Sequence, residues 1–259
     1  MINDGVVHRI GSKGPEVGNL QRFLSDLGYR DEDGLLLDPD ESFGAKTAFA
    51  LSDYQKTTAI SVTGEFDRAT RAASVRLGFI PFAQAQNCRV FWPKKRTIKT
   101  IVIHTMECQE SDLFAAEDVA LWFAGRTSFP APQSSAHYMV DQDSVVQGVR
   151  DTDEAWHASQ SNIGGIGIEH AGFAAQTPEE WEDQASSAIL WRSARLAARL
   201  CRTYGIPAAR LSDADILSGR PGFCGHVDVN RSYGNIKGHT DPGLSFPWAS
   251  YLSLVEESI

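Results

Sequence analysis

The sequence predicts a two-part α/β (α+β) protein, in which a small all-helical domain precedes a domain with a mixed central sheet flanked by helices. Three observations lead to this fold class. Helical periodicity marks the first 80 residues, short β-branched runs recur from residue 97 onward, and one long helical pattern crosses the second half. A chain of 259 residues, 42% of them hydrophobic, has enough material for two separate cores.

The N-terminal helical domain is predicted over residues 1–80. Its clearest element is an amphipathic helix that starts at Pro15 and stops before Gly28, because proline suits the first helical turn and glycine suits the position just past the last. One face of this helix carries the apolar side chains that would enter a core: Val17, Leu20, Phe23, Leu24 and Leu27.

The second domain is predicted over residues 97–259, where strand and helix patterns are mixed. Apolar or alternating runs predict strands over residues 97–104, 136–141, 145–149 and 166–170. Helices are predicted over residues 112–124 and 178–204, with a final helix after Trp248. For the long helix, Thr177 and Glu180 form a capping-box pattern and Gly205 marks the end, which gives a length of about 40 Å.

Residues 81–96 are predicted to be a linker, and its end, from Arg89 to Arg96, is a short basic stretch that we expect to be solvated. The formal net charge of the chain is −9, which disfavours nucleic acid as a partner. No apolar run is long enough to span a bilayer, and the first residues lack the basic and apolar regions of a secretory signal. We therefore expect synthesis in the cytoplasm without a signal peptide and no membrane insertion.

Three residues far apart in the chain have the chemistry of one open zinc site. His104 closes a β-branched run, His226 lies in a Cys-Gly-His segment, and Asp241 precedes a Pro-Gly turn signal. Two imidazoles and one carboxylate fill three tetrahedral positions of zinc and leave the fourth for water. Taken singly, each histidine could equally be a buried structural residue or a solvated loop residue. Taken together, the three residues predict a metallohydrolase.

Six segments of the second domain match one family in order, at residues 101–104, 134–141, 155–158, 166–169, 225–228 and 240–248. On these segments, residues 97–248 resemble the zinc-dependent N-acetylmuramoyl-L-alanine amidases, a group that includes phage lysins and peptidoglycan recognition proteins. In the first domain, residues 5–79 resemble the small helical peptidoglycan-binding domain of many cell-wall hydrolases.

The resemblance implies the ligands of one metal ion and a catalytic carboxylate. It implies Zn2+ bound by His104, His226 and Asp241, with Glu169 as the carboxylate that acts on the zinc-bound water. A surface charge on an edge strand is the alternative for Glu169, although an acid within an apolar strand run needs a reason to be there.

Three more positions follow from the resemblance. Trp156 and His157 lie in a matched segment, and we expect both to line the substrate cleft. His239 stands two residues before Asp241, where many relatives carry a lysine that stabilises the developing oxyanion. Because histidine changes charge near pH 6.5, we expect His239 to be a catalytic residue whose contribution depends on pH.

The function implied by the resemblance is that of an endolysin-like peptidoglycan hydrolase. A zinc-activated water would cleave the amide between N-acetylmuramic acid and the L-alanine of the stem peptide, after the protein is released from the host cytoplasm to the cell wall. The residue chemistry alone supports only metal-assisted hydrolysis. A peptidoglycan endopeptidase and a non-catalytic peptidoglycan recognition protein are therefore the alternatives, and no sequence feature indicates an oligomeric state.

Overall fold

The structure is a computed structural model that describes residues 2–3, 5–91, 96–235 and 238–259. The chain divides into two compact units, Met1–Ala83 and Gln84–Ile259. The first is helical and the second contains a mixed sheet flanked by helices, which confirms the predicted fold class. Within the described ranges, no helix has the length and apolar character that crossing a membrane requires.

The first unit is built from α1 (Pro15–Asp26), α2 (Ala45–Thr57) and α3 (Arg68–Arg76). Gly28 follows α1 with a φ of +86°, a conformation that favours glycine, as predicted for this helix end. Leu27 differs from the prediction, because it lies past the last turn of α1 and is 45% exposed. The buried core includes Val17, Leu20, Phe23, Leu24, Leu51, Tyr54, Phe66 and Phe79.

The strands of the second unit are β1 (Cys88–Arg89), β2 (Thr100–Thr105), β3 (Tyr138–Val140), β4 (Val145–Gln147), β5 (Glu154–Ala155), β6 (Gly165–His170) and β7 (Gly222–Gly225). Five of them form one sheet in the order β4-β3-β6-β2-β7, while β1 pairs with β5. The strands β3, β6, β2 and β7 run parallel and β4 is antiparallel. β7 was not predicted, because two of its residues are glycines, which strands seldom contain.

The helices of the second unit are α4 (Ala115–Phe123), α5 (Gln184–Tyr204), α6 (Asp213–Ser218), α7 (His226–Ser232) and α8 (Trp248–Glu257). α5 packs against β3 and β6, and α8 packs on α5. α7 packs against β2 and β7, where Val102 and Cys224 of the sheet meet Val229 of the helix. Because side chains alternate along a strand, His104 points to the same face of the sheet as Val102.

The long helix is shorter than predicted. α5 begins after Asp183, whose backbone is extended and whose side chain caps the helix. Thr177 and Glu180 do form reciprocal hydrogen bonds, at 2.7 and 3.3 Å, but these close a separate 3-10 turn that comes before Asp183. The 21 residues of α5 span about 31 Å instead of about 40 Å.

The described residues of the predicted linker are packed. Backbone N–H groups of Ala85 and Gln86 donate to carbonyls within the second unit, and β1 lies inside the same segment. Arg96 was expected in solvent, which was wrong: it is 9% exposed and donates to the backbone carbonyls of Asp151, Asn162 and Gly165. Burial lowers the pKa of Arg96 to about 10. Residues 92–95 of the basic stretch lie outside the described residues.

Candidate metal centre

Three parallel strands bring the candidate residues to one edge of the sheet. His104 lies near the end of β2, Glu169 pairs with it in register near the end of β6, and His226 directly follows β7 as the first residue of α7. The carboxyl ends of parallel strands meet at one edge, where ligands commonly bind. Because β6 is the central strand, Glu169 is not an edge-strand charge.

Asp241 reaches this edge from a turn that is packed against the start of α7. Its backbone carbonyl accepts the Val227 N–H at 2.9 Å. Gly225 permits the close approach, because a Cβ at that position would lie 2.5 Å from Cδ of Pro242. Backbone packing therefore fixes Asp241 beside His226.

Asp228 anchors the helix that carries His226; it ends one of the matched segments, but no role was predicted for it. Its carboxylate accepts the Gly225 N–H at 2.6 Å, and Arg210 and Arg231 donate to it at 2.5 and 2.8 Å. These bonds hold the first turn of α7 against the end of β7. The signal that could have found Asp228 is its spacing, three residues after the position that precedes the helix.

The three predicted ligands form a compact and buried group. Asp241 Oδ2 lies 2.8 Å from Nδ1 of His104, and Asp241 Oδ1 lies 3.3 Å from Nδ1 of His226. One ligand atom from each residue lies within 4.8 Å of the other two. Two nitrogens and one carboxylate oxygen match the donors of catalytic zinc sites, so this group fits zinc. In the part of the chain that the structure describes, no second group of this kind occurs.

The charges within this group support metal binding. Burial raises the pKa of Asp241, but the adjacent imidazoles of His104 and His226 outweigh burial and hold that pKa well below its usual range. Burial also lowers the pKa of His104, in spite of its bond to Asp241. Metal ligands must be deprotonated, and both residues favour that state near neutral pH.

Glu169 has the opposite electrostatics. Burial, followed by the negative charges of Asp241 and Glu107, raises the pKa of Glu169 well above its usual value. Glu107 is held in place because its carboxylate accepts the Thr105 hydroxyl at 2.7 Å and the Ala174 N–H at 2.9 Å. The site thus combines one carboxyl group that stays ionised with another that holds a proton more tightly.

The other predicted site residues differ in exposure. The side chain of His239 is 75% exposed, and its ring stacks on that of His226 with 4.5 Å between centroids. Trp156 is 40% exposed. His157 is buried, and its Nδ1 lies 3.1 Å from Nε2 of His104. Burial, and then the neighbouring His104, lower the pKa of His157 well below its usual value.

Comparisons with known proteins match both units. Residues 94–244 match the family described as N-acetylmuramoyl-L-alanine amidase, and residues 13–73 match the peptidoglycan binding domain. N-acetylmuramoyl-L-alanine amidase A of Achromobacter lyticus is 32% identical over 166 residues, which cover 60% of this chain and 81% of that protein.

Two solved structures are similar at lower identity. The hydrolase AmiA of Staphylococcus aureus, in complex with its ligand, is 16% identical with a TM-score of 0.49, covering 81% of this chain and 90% of that chain. A selenomethionine derivative of AmpD is 20% identical with a TM-score of 0.49, covering 68% of this chain and 94% of that chain.

Proposed function

The chain belongs to the N-acetylmuramoyl-L-alanine amidase family, and we propose that it is a zinc-dependent, endolysin-like enzyme that cleaves the amide between N-acetylmuramic acid and the L-alanine of the stem peptide. The observation that carries this proposal is the buried group of His104, His226 and Asp241, with Glu169 in register beside His104. Peptidoglycan is the substrate, which makes the cell wall the place of action.

In the proposed mechanism, His104, His226 and Asp241 hold zinc. Zinc, when bound, supplies a Lewis acid that polarises the scissile carbonyl and makes water more acidic. Glu169 is assigned the proton transfers: it takes a proton from the attacking water and returns one to the leaving nitrogen. Its raised pKa suits the second task, because the carboxyl group keeps its proton at a higher pH than an ordinary glutamate.

We propose that His239 and Trp156, which are both exposed, contact the substrate at the entrance to the site. His239 is stacked on His226 and exposed, so its ring can donate to the carbonyl oxygen of a bound substrate, where negative charge develops. Trp156 exposes part of its indole and is proposed to contact the substrate. His157 was predicted to share this role, but it is buried beside His104 and offers little surface to a substrate.

The N-terminal unit is proposed to hold the polymer while the second unit cuts it. Residues 13–73 match a peptidoglycan binding domain, which lies within the 1–80 domain predicted from the sequence. A binding module on an insoluble substrate raises the effective concentration of cleavable bonds at the attached enzyme. The predicted limits of the amidase domain, residues 97–259, are part of the same proposal.

The experiment that tests this function is mass spectrometry of purified peptidoglycan after digestion by the full chain, with and without a chelator. Release of stem peptides that begin at L-alanine, abolished by the chelator and restored by zinc, is the expected result. Cleavage inside the stem peptide would instead identify an endopeptidase. Binding without products in a zinc-loaded sample would leave a recognition protein.

A further inference from the structure

We propose that His157 is a positioning residue of the metal centre: it accepts a hydrogen bond from Nε2–H of His104 and so holds that ring with Nδ1 toward Asp241. This inference rests on the proposed zinc-dependent function. It gives His157 a role different from the substrate contact that the sequence predicted.

The backbone around His157 is fixed by hydrogen bonds with Asn162 and with Ser135 of a distant segment. The N–H groups of His157 and Ala158 both donate to Oδ1 of Asn162, at 3.0 and 2.6 Å. Ser135 and Trp156 exchange two further bonds, from the Ser135 N–H to the Trp156 carbonyl and from the Trp156 N–H to the Ser135 hydroxyl, each 3.0 Å long. The backbone that carries the ring of His157 is therefore held in place.

Two glycines of β6 make room for the imidazole of His157. A Cβ on Gly167 would lie 2.7 Å from Cγ of His157, and a Cβ on Gly165 would lie 3.3 Å from its Cε1. Residues 165, 167 and 169 share one face of β6, so the ring lies on the same face of the sheet as Glu169 and His104. Any side chain at Gly167 would push the ring away from this place.

The two ring nitrogens of His104 have different neighbours. Nδ1 lies 2.8 Å from Asp241 Oδ2, on the side of the other ligands, and Nε2 lies 3.1 Å from Nδ1 of His157. A histidine that ligates through one nitrogen carries its proton on the other, and a fixed acceptor for that proton sets the orientation of the ring. His157 Nδ1 is in the position of that acceptor.

Among the described residues, the contact with His104 is the one hydrogen bond of the His157 ring, because its Nε2 has no partner. A buried polar atom without a partner usually destabilises a protein by about 1–3 kcal/mol. The hydrogen bond with His104 is therefore the contact that accounts for a buried imidazole at this position.

The test compares two substitutions in the full chain. His157→Phe keeps a ring between the glycines but removes the acceptor, whereas His157→Asn keeps an acceptor close to the position of Nδ1 and removes the ring. Zinc affinity is measured by competition with a chromogenic chelator. We expect His157→Phe to weaken zinc binding about 10- to 100-fold, and His157→Asn to stay within about threefold of the original chain.

Other outcomes overturn the inference in distinct ways. Unchanged zinc affinity in both variants, together with a raised KM, would make His157 a substrate contact. A chain that binds no zinc and whose activity survives chelation would refute the proposed function as well. Tryptophan fluorescence on urea unfolding shows whether each variant is folded, since all tryptophans lie after residue 83.

A second pair of measurements does not depend on the His157 variants. Gly167→Ala should weaken zinc binding as His157→Phe does, while Gly164→Ala should not, because its Cβ would only meet the Thr97 carbonyl at an ordinary 3.8 Å. In the zinc-loaded original chain, nitrogen NMR should show the His104 proton on Nε2. A proton on Nδ1 would overturn the inference.

Discussion

Single residues set the chemistry of the site through two carboxyl groups whose environments act in opposite directions. The imidazoles of His104 and His226 outweigh the effect of burial on Asp241 and keep it ionised. Glu169 is half-buried, and desolvation followed by the negative charges of Asp241 and Glu107 makes it hold its proton more tightly. When the environments of two carboxyl groups shift their pKa values in opposite directions, the one with the lowered pKa suits a metal ligand and the one with the raised pKa suits a general acid or base. This difference supports the roles proposed for the two residues.

Glu169→Gln should separate catalysis from metal binding. The amide has the size of the carboxyl group but cannot transfer a proton, so kcat is expected to fall by about 10²- to 10⁴-fold. Zinc content should stay at the level of the original chain, because Glu169 is not among the proposed ligands. Peptide release and elemental analysis of the same sample check both statements, and loss of zinc from this variant would contradict the role of Glu169.

His239 provides the second residue-scale prediction. The role proposed for His239 in stabilising the oxyanion needs a charged imidazole, so kcat should decline toward alkaline pH. His239→Lys should extend the active range to higher pH, because lysine stays charged there. The pH profiles of kcat for the two proteins are compared at saturating zinc. Identical profiles would show that the charge of His239 has no part in turnover.

The residues that the sequence indicated most clearly were those with a recognisable chemical type at a strand end or a turn, such as His104 and Asp241. The contact between His157 and His104 could not be predicted, because the residues are 53 positions apart. It depends on a loop that crosses β6 at Gly167, a packing detail that no local pattern contains. Family motifs placed His157 in the site but did not predict that its side chain is buried.

At the scale of elements, α5 shows why a capping motif does not fix a helix boundary. Both Thr177 and Asp183 satisfy the local rule for an N-cap, and the structure uses both, one for a short turn and one for the helix. We predicted Thr177 as the N-cap of the long helix and missed Asp183, because the helical pattern up to residue 204 is compatible with a start at either residue. The C-terminal end was clear, since Gly205 adopts a φ of +67°.

Substitution of Asp183 tests this boundary. Asp183→Ala removes the cap of α5, whereas Asp183→Ser keeps a capping oxygen and removes only the charge, which matters because Glu110 lies close by. Asp183→Ala should unfold with about 1 kcal/mol less free energy than Asp183→Ser. Thr177→Ala should have a smaller effect, since it affects only the short turn. Urea unfolding followed by tryptophan fluorescence measures all three; a larger loss from Thr177→Ala would favour the predicted helix start.

His170, for which no role was predicted, connects strands with helices. Its Nδ1 donates to the His104 carbonyl at 3.1 Å, and its Nε2 accepts from the Ser193 hydroxyl at 2.7 Å. The Ser193 oxygen lies 2.7 Å from the Tyr251 hydroxyl. This chain of bonds joins β2, β6, α5 and α8 and is satisfied by a neutral imidazole. Burial lowers the pKa of His170 to about 4.

The stability contributed by neutral His170 should depend on pH. Its folded pKa of about 4 is below the unfolded value of 6.5, so the unfolded chain binds more protons between these limits. The contribution is complete above pH 6.5 and is lost as the pH falls toward 4. His170→Asn removes this titration, so the difference in unfolding free energy between the two proteins should narrow by about 1.4 kcal/mol from pH 7.5 to 5.5. Urea unfolding in chelator measures it; an equal difference at both values would contradict the assignment.

At the scale of the whole molecule, the chain joins a unit that matches a binding domain to a unit that matches an amidase. Its net charge of −9 gives no general attraction to anionic wall polymers. In the proposed function, specific contacts of the first unit provide the attachment, and its benefit should depend on the physical form of the substrate. An attached binding unit helps when cleavable bonds are clustered on a polymer, and it adds nothing for a small soluble fragment.

A chain that starts at Gln84 should show this difference. We expect it to hydrolyse a soluble muropeptide with the kcat/KM of the full chain, and to digest insoluble peptidoglycan at least about 10-fold more slowly at low enzyme concentration. Tryptophan fluorescence gives the folding control, because it reports on the second unit in both proteins. Equal loss on both substrates would mean that the first unit supports the fold of the second, and equal rates on the insoluble wall would mean that it does not hold the polymer.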